Sequence, residues 1–447
     1  MDSLHVCLLN DSFPPMLDGV ANVMKNYASI ITEKYGTATV VTPAYPDVTD
    51  DYPYEVIRYA SMDTVKLVGY RTGYPFDAKV LERLHALPMD LMHVHCPFIS
   101  AQLCRVVREK RDVPLVFTYH TKFDVDVRKA VRMKMIQDAA LKIIVDNIAA
   151  CDDVWVVSEG AGKNLRSIGY EGNYIVMPNG VDMPKGRACD SAVNAVRERY
   201  GLDPNRTTYL FVGRMMWYKG LKIILDALRM LKNAGKRFTA VFVGDGLDRR
   251  EIETYMQKLS LDGECRFIGA IRDRDTLRAM YAASDLFLFP STFDTNGIVV
   301  REAAANGLGS VLIEGSCAAE GVSHGKNGLL IEETPESMAN LLFHMNDRRA
   351  AMRELGNHAM EELYFSWEDS VKSAVGRYRI ILEDREHFRK PRQMSGSEDF
   401  FRSVSQWFDV FSQLAAMPAR VQERAEARLR PLLPLSEQKT LQNNKKR

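Results

Sequence analysis

The chain reads as an α/β protein of two doubly wound domains with parallel sheets, facing one another across a cleft, plus a helical C-terminal extension. Three observations predict this class. Short apolar strands alternate with helical segments through both halves, the pattern of a parallel sheet covered on both faces. The alternation is interrupted once by PNGVDMPKGRACD (residues 178–190), whose Pro, Gly and Asp content suits a linker. And 447 residues exceed what one ordinary core holds.

The elements follow in chain order. HVCLLND is a strand, a helix follows Gly19, and ATVVTPA, EVIRYA, LMHVHC, PLVFTYH, DVWVVS and NYIVMPNG are further strands. ISAQLCRVVREK and MKMIQDAALKIIVDNIAA are helices between them. TTYLFVGR, TAVFVGDG, CRFIGA, LFLFPS, SVLIEG and GLLIEE repeat the scheme. The domains are expected at 1–182 and 183–366, with a closing helix at 367–390 and a linker plus amphipathic helical tail at 391–447. In that tail Phe400, Phe401, Val404, Trp407, Phe408, Phe411 and Leu414 share one helical face. Arg420, Arg424, Arg428 and Arg430 then mark a short basic helix.

Composition excludes several classes. Apolar content of 46% with 26% charged residues describes a soluble globular protein. A formal charge of +1 lacks the basic excess of a nucleic-acid binder. No apolar run approaches the ~20 residues that span a bilayer. MDSLHVCLLNDSF has neither a basic n-region nor a small-residue cleavage site, so it reads as a first strand and not as a signal peptide. Seven cysteines without a C-x-x-C pair suit reduced thiols in a cytosol and give no zinc site. His93 and His95 share a strand face, but no third ligand accompanies them, so no metal is expected.

The chemistry concentrates between Gly213 and Glu302. FVGRMMWYKG ends a strand in Gly213-Arg214 and continues to Lys219-Gly220 before a helix. PSTFDTNGIVVRE follows another strand with a polar turn and a helix opening near Gly297. Strand-to-helix loops are where open α/β sheets bind ligands, and helix N-termini offer amides and positive dipole to anions. With Arg214 and Lys219 added, the natural guest is a pyrophosphate. Asp294 and Glu302, standing alone, would be ordinary helix charges; the preceding basic motif at the right distance gives them another reading.

The pattern G-R-x4-K-G followed by [DE]-x7-E resembles the retaining GT-B glycosyltransferases of the glycogen-synthase-like superfamily, glycosyltransferase family 4 type. The resemblance spans residues 1 to about 385, and it leans toward the bacterial diacylglycerol glucosyltransferases. It implies two Rossmann-like domains and a nucleotide-sugar donor, with UDP-glucose favoured. Arg214 and Lys219 would hold the donor phosphates, Asp294 would lie by the transferred sugar, and Glu302 would take the ribose hydroxyls. Gly19, Gly244, Ile268, Asn296, Gly297 and Ile298 complete the implied donor site. His120, at the end of PLVFTYH, matches a histidine placed near the sugar. The sequence departs from the family at Asp294, where Glu is commoner, and at Asn296, where an aromatic is commoner. No metal or other cofactor is implied, because cationic groups and amides stabilise the leaving diphosphate.

The acceptor is less legible. Asp11, His95 and Lys122 are the candidate acceptor residues, and a membrane lipid or a glycan is the expected acceptor. Arg128, Lys129, Arg132 and Lys134 open a helix in the first domain and, with the aromatic tail, suit an anionic membrane surface. The competing reading makes the basic run a solvated face and the tail a packing or subunit contact. The expected place is the cytoplasm, peripheral on the inner face of the cell membrane. Alternatives are a soluble glycan transferase, a nucleotide-sugar epimerase, or a non-catalytic GT-B partner, the last predicting loss of one of Arg214, Lys219 or Glu302. All three are present.

Overall fold

The structure, a computed structural model, describes residues 3–16, 18–63, 71–75, 77–130 and 134–389. The tail expected at 391–447 and Arg132 of the basic run lie outside the described residues. The first domain contributes β1 (Leu4–Leu9), β2 (Gly36–Pro43), β3 (Glu55–Tyr59), β4 (Ser61–Met62), β5 (Thr72–Gly73), β6 (Leu91–Val94), β7 (Leu115–Tyr119), β8 (Asp153–Val156) and β9 (Ile175–Val176). Seven of these form one parallel sheet in the order β3-β2-β1-β6-β7-β8-β9. The second domain contributes β10 (Thr207–Val212), β11 (Phe238–Val243), β12 (Cys265–Gly269), β13 (Leu286–Leu288), β14 (Ser310–Ile313) and β15 (Leu329–Ile331), in the order β12-β11-β10-β13-β14-β15. Helices cover both sheets, and every residue of β6, β7, β8, β10 and β11 is buried. That two-sided burial is why these segments are continuous apolar runs instead of alternating ones.

Chain order reverses direction once in each sheet. In the first it does so between β1 and β6, paired from Val6–Leu91 to Leu9–Val94. In the second it does so between β10 and β13, paired at Tyr209–Leu286 and Leu210–Phe287. The connections beyond neighbouring strands diverge at such a point and leave a crevice at their carboxyl ends. The loops in question, those after β1, β6, β10 and β13, are among those that the motif reading singled out.

Three local features differ from the sequence expectation. NYIVMPNG yields only the two-residue β9, half-buried to exposed at the sheet edge, where Pro178 has no N–H for a longer ladder. Asp77 starts an unforeseen helix at Ala78–Ala86 by accepting the Lys79 and Val80 amides. β4 and β5 form a separate antiparallel pair.

The closing helix runs Trp367–Glu383 and returns to the first domain. Its inner residues Val371, Val375, Tyr378 and Ile381 share a core with Leu4, Val6, Met24 and Trp155. Tyr378 stacks on Trp155 with ring centroids 5.3 Å apart. Arg377 grips Asp153 with two bonds, Nε to Oδ2 at 2.7 Å and Nη2 to Oδ1 at 2.9 Å. The chain therefore crosses between domains twice, and the crossings touch: the Val181 amide donates to the Phe365 carbonyl at 3.0 Å. At Gly180 a Cβ would lie 2.3 Å from the Trp367 nitrogen. Replacing Arg377 with Ala leaves the buried Asp153 carboxylate without its cation and with the Trp155 indole N–H, at 2.6 Å, as its remaining side-chain partner, so unfolding free energy should fall by about 3 kcal/mol. Denaturant titration measures it, and an unchanged midpoint would show that the helix does not hold the domain together through this pair.

Candidate active site

The loop after β10 is shaped by backbone contacts. The Gly213 amide donates to the Val243 carbonyl and the Met215 amide to that of Asp245, both at 3.0 Å. Residues Trp217–Lys219 make one 3-10 turn that ends on Gly220 at φ 78°. A Cβ on Gly220 would meet the Pro290 carbonyl oxygen at 2.1 Å, so only glycine lets this loop lie against the end of β13. Gly244 plays the same part beneath it: at φ 137°, a Cβ would lie 1.9 Å from the Gly213 oxygen.

That approach brings the motif charges together. The Lys219 ammonium, 8% exposed, pairs with Asp294 Oδ1 at 2.5 Å, and the Ser291 hydroxyl donates to Asp294 Oδ2 at 2.5 Å. Arg214 is exposed, and among the described residues no carboxylate pairs with it. Two helices begin here on left-handed glycines without a side-chain cap, Leu221–Asn233 after Gly220 and Ile298–Ala305 after Gly297. Asp18, Asp77, Ser158, Asp273, Thr334 and Ser366 cap other helices, whereas Ile99–Lys110, Asp190–Tyr200, Arg249–Lys258 and Arg349–Glu362 also start without a side-chain cap of their own. Uncapped helix starts beside an exposed arginine and a buried lysine are an arrangement that can stabilise an anion.

The other donor-site candidates surround it. The Gly244 amide donates to the Gly269 carbonyl at 2.9 Å, which brings the half-buried Ile268 end of β12 beside the Gly244 loop. Asn296 is 7% exposed; its Oδ1 accepts weakly from Arg301 Nε at 3.4 Å, and its Nδ2 is enclosed without a partner. Ile298, half-buried, opens the following helix. Glu302 is buried and held by Arg274 Nη2 at 3.0 Å and the Tyr281 hydroxyl at 3.1 Å. Burial pushes its carboxyl above the usual range, against the pull of Arg274.

The first domain meets this turn directly. Thr295 Oγ1 donates to the His120 carbonyl, Ser158 Oγ to the Thr295 carbonyl at 2.5 Å, and Lys122 Nζ to the Thr292 carbonyl at 2.8 Å. Glu320 accepts the Glu159 and Gly160 amides at 2.8 and 2.5 Å, holding the start of helix Glu159–Ser167 from across the cleft. Gly19 opens its helix with clear space beside it, and Asp18 accepts the Ala21 amide at 2.7 Å.

Two acceptor candidates are corrected. Asp11 is buried, and its carboxylate takes the Ile99 and Ser100 amides at 3.0 and 2.8 Å and the Tyr59 hydroxyl at 2.9 Å. It caps helix Ile99–Lys110 from a distance, answering the lack of a cap on Phe98. His95 is 1% exposed and has no surface for an acceptor; it lies under His120, its Nδ1 2.9 Å from His120 Nε2. Sequence reasoning missed Ser291, Arg274, Tyr281 and Thr295 as partners of the motif residues. A hydroxyl or arginine outside the spacing pattern carries no signal until the fold brings it near.

Among the described residues, no group of three or more His, Cys, Asp or Glu side chains is arranged to hold a metal ion. The family described as Glycosyl transferases group 1 matches residues 193–360, and that described as Glycosyltransferase Family 4 matches residues 17–184. The chain belongs to the GT-B glycosyltransferases. As such it is an enzyme that takes a nucleotide-sugar donor and a separate acceptor. This glycosyltransferase is similar to the alpha-monoglucosyldiacylglycerol synthase of Streptococcus pneumoniae, 22% identical over 68% of this chain and 70% of that protein. It is also similar to the D-inositol 3-phosphate glycosyltransferase of Corynebacterium urealyticum, 27% identical over 76% and 82%. Its fold matches the sucrose-phosphate synthase of Thermosynechococcus elongatus, with TM-score 0.70 and 21% identity over 85% of this chain and 99% of that one. An Anabaena protein solved in complex with UDP matches with TM-score 0.69 and 20% identity over 84% and 100%.

The histidines at the β6 and β7 ends give the glycosyltransferase an acid limit. Burial drives His120 down to about 3, and His93 and His95 well below their usual range. Above pH 6.5 both folded and unfolded chains carry these rings neutral. As pH falls below 6.5 the unfolded chain takes up protons that the folded one refuses, so stability declines. Chemical denaturation between pH 6.5 and 5 should show unfolding coupled to uptake of about three protons at the lower end. A pH-independent midpoint in that window would mean the three rings are not held neutral.

Proposed function

We propose that the enzyme is a retaining transferase that moves glucose from UDP-glucose to a hydroxyl of a membrane glycerolipid, forming an α-glycosidic bond at the cytoplasmic face of the cell membrane. The observation that carries the donor half is the joint presence of exposed Arg214, buried Lys219 and two uncapped helix starts at one switch point. Departure of a nucleoside diphosphate puts growing negative charge on its outer phosphate, and fixed cations and amides are the largest usual source of help. On this reading the phosphate draws the Lys219 ammonium away from Asp294. The freed carboxylate then faces the sugar hydroxyls, with His120 on the opposite wall. Glu302, kept in place by Arg274 and Tyr281, is left to meet the ribose. The leaving phosphate accepts the acceptor's proton on the same face of the sugar, and retention follows.

The lipid half is supported by the similarity of the chain to the alpha-monoglucosyldiacylglycerol synthases of Streptococcus pneumoniae and Acholeplasma laidlawii. It is also supported by helix Lys134–Ala149, which follows His120 in the chain, opens on exposed Lys134 and leaves Met135 74% and Ile143 48% exposed. Apolar side chains among cations suit an anionic bilayer surface. Among the described residues no helix is long and apolar enough to cross a membrane. The inositol-phosphate relatives favour a second reading, a soluble phosphorylated acceptor.

Arg214→Ala and Lys219→Ala should each lower transfer about 100-fold or more while the proteins stay folded; wild-type rates in either would remove the phosphate-binding assignment. The donor and acceptor are tested with UDP-, GDP- and ADP-sugars, with and without vesicles containing diacylglycerol. UDP release from UDP-glucose, stimulated by the vesicles and accompanied by an α-linked glucolipid, is the expected result. Stimulation by an inositol phosphate instead would move the acceptor to the soluble reading.

A further inference from the structure

His95 has no part in the reading above, because it reaches neither surface nor cleft. Yet it touches the one first-domain side chain that this reading puts beside the sugar. Its Nδ1 lies 2.9 Å from His120 Nε2, and the two rings meet edge to edge with centroids 5.1 Å apart and planes 23° apart. Its own backbone is anchored by a bond from its amide to the Leu9 carbonyl at 2.9 Å. His93 and Tyr27 confine the ring further, with centroids at 4.0 and 5.7 Å. The His120 carbonyl is taken by Thr295, so the residue is fixed at its backbone and at one ring nitrogen, and Nδ1 is the nitrogen left for a ligand.

Two neutral imidazoles joined by one hydrogen bond share a single bridging proton. His95 Nε2 decides which ring owns it, because that atom is enclosed and has no partner. If His120 donated, His95 would carry its N–H on Nε2, a buried donor with nowhere to go. If His95 donates from Nδ1, its Nε2 is a bare lone pair, the less costly orphan of the two. We propose that His95 is a positioning residue that donates Nδ1–H to His120 Nε2 and thereby fixes His120 as the Nδ1–H tautomer, presenting a hydrogen-bond donor, and no base, to the transferred sugar. The proposal rests on the placement of His120 beside the donor sugar. Burial of both rings keeps them neutral, so one N–H per ring is the correct count. The remaining groups facing the pair are His93, bonded to Thr118 and Tyr378, and the Tyr27 ring.

Nitrogen-15 NMR of the wild-type protein reads the tautomer without any turnover. The expected spectrum has His120 Nδ1 protonated and Nε2 bare. Protonation on Nε2 would overturn the proposal whatever the substrate is. His95→Asn keeps an N–H where Nδ1 stood, and His95→Leu removes it. His95→Leu should lower kcat about 10-fold or more, with little change in donor KM and with His120 released into a mixture of tautomers. His95→Asn should restore both. A Leu variant with wild-type kcat and an unchanged His120 spectrum would leave His95 a packing residue only. UDP binding by calorimetry separates the two levels, since its loss in the wild-type protein would fault the donor reading and leave the tautomer result standing. Should the Leu variant fail to fold, the wild-type spectrum and the Asn variant still decide.

Discussion

The approach of Gly220 to the Pro290 carbonyl is the constraint on which the active site depends. It is a contact between two backbones, each leaving the carboxyl end of a strand at the switch point of one sheet. A side chain on residue 220 would hold the loops apart and take Lys219 out of reach of Asp294. The Lys219–Asp294 pair ties together the two loops from which the uncapped helices Leu221–Asn233 and Ile298–Ala305 start. The ion pair itself adds little net stability, since desolvation of both groups offsets their attraction. Its effect is to keep both charges ordered and ready for a ligand that competes for the lysine.

The turn from Ser291 to Gly297 has a second duty. Ser291 and Asp294 hold Lys219 within the second domain, while Thr292 and Thr295 reach across to Lys122, His120 and Ser158. Charge placement and domain contact are therefore encoded in one short segment. Each of the crossing hydrogen bonds is worth about 1 kcal/mol net. A handful of such bonds holds a closed cleft without locking it, which suits an enzyme that must admit a donor and release a diphosphate.

Much of this was legible in the sequence because it depends on order and spacing. Continuous apolar runs such as Tyr209–Val212 and Phe238–Val243 announced buried parallel strands, and G-R-x4-K-G with D-x7-E identified the loops between them. What stayed hidden depends on side chains brought together from far apart in the chain. Asp11 has the look of an acceptor group, being a polar residue in a loop after the first strand. Only the fold shows that helix Ile99–Lys110 lacks a local cap and takes Asp11 for that purpose. His95 and His120 are 25 residues apart on neighbouring strands, a distance at which spacing alone says nothing of a shared proton. Arg274 and Tyr281 sit on a helix whose sequence signals, the Asp273 cap and its amphipathicity, say nothing of what its side chains touch, so their hold on Glu302 could not be foreseen.

The paired crossings at Val181 and Phe365 carry a mechanical consequence. One tether between two bodies leaves them free to swing, twist and slide. Two tethers lying side by side and hydrogen-bonded to each other behave as a door hinge, permitting rotation about one line and resisting torsion about others. Helix Trp367–Glu383 sets the second tether firmly into the first domain, so the hinge line is anchored on that side. Any opening of the cleft would follow one arc, so that geometry alone would restore the alignment of its two walls on closing.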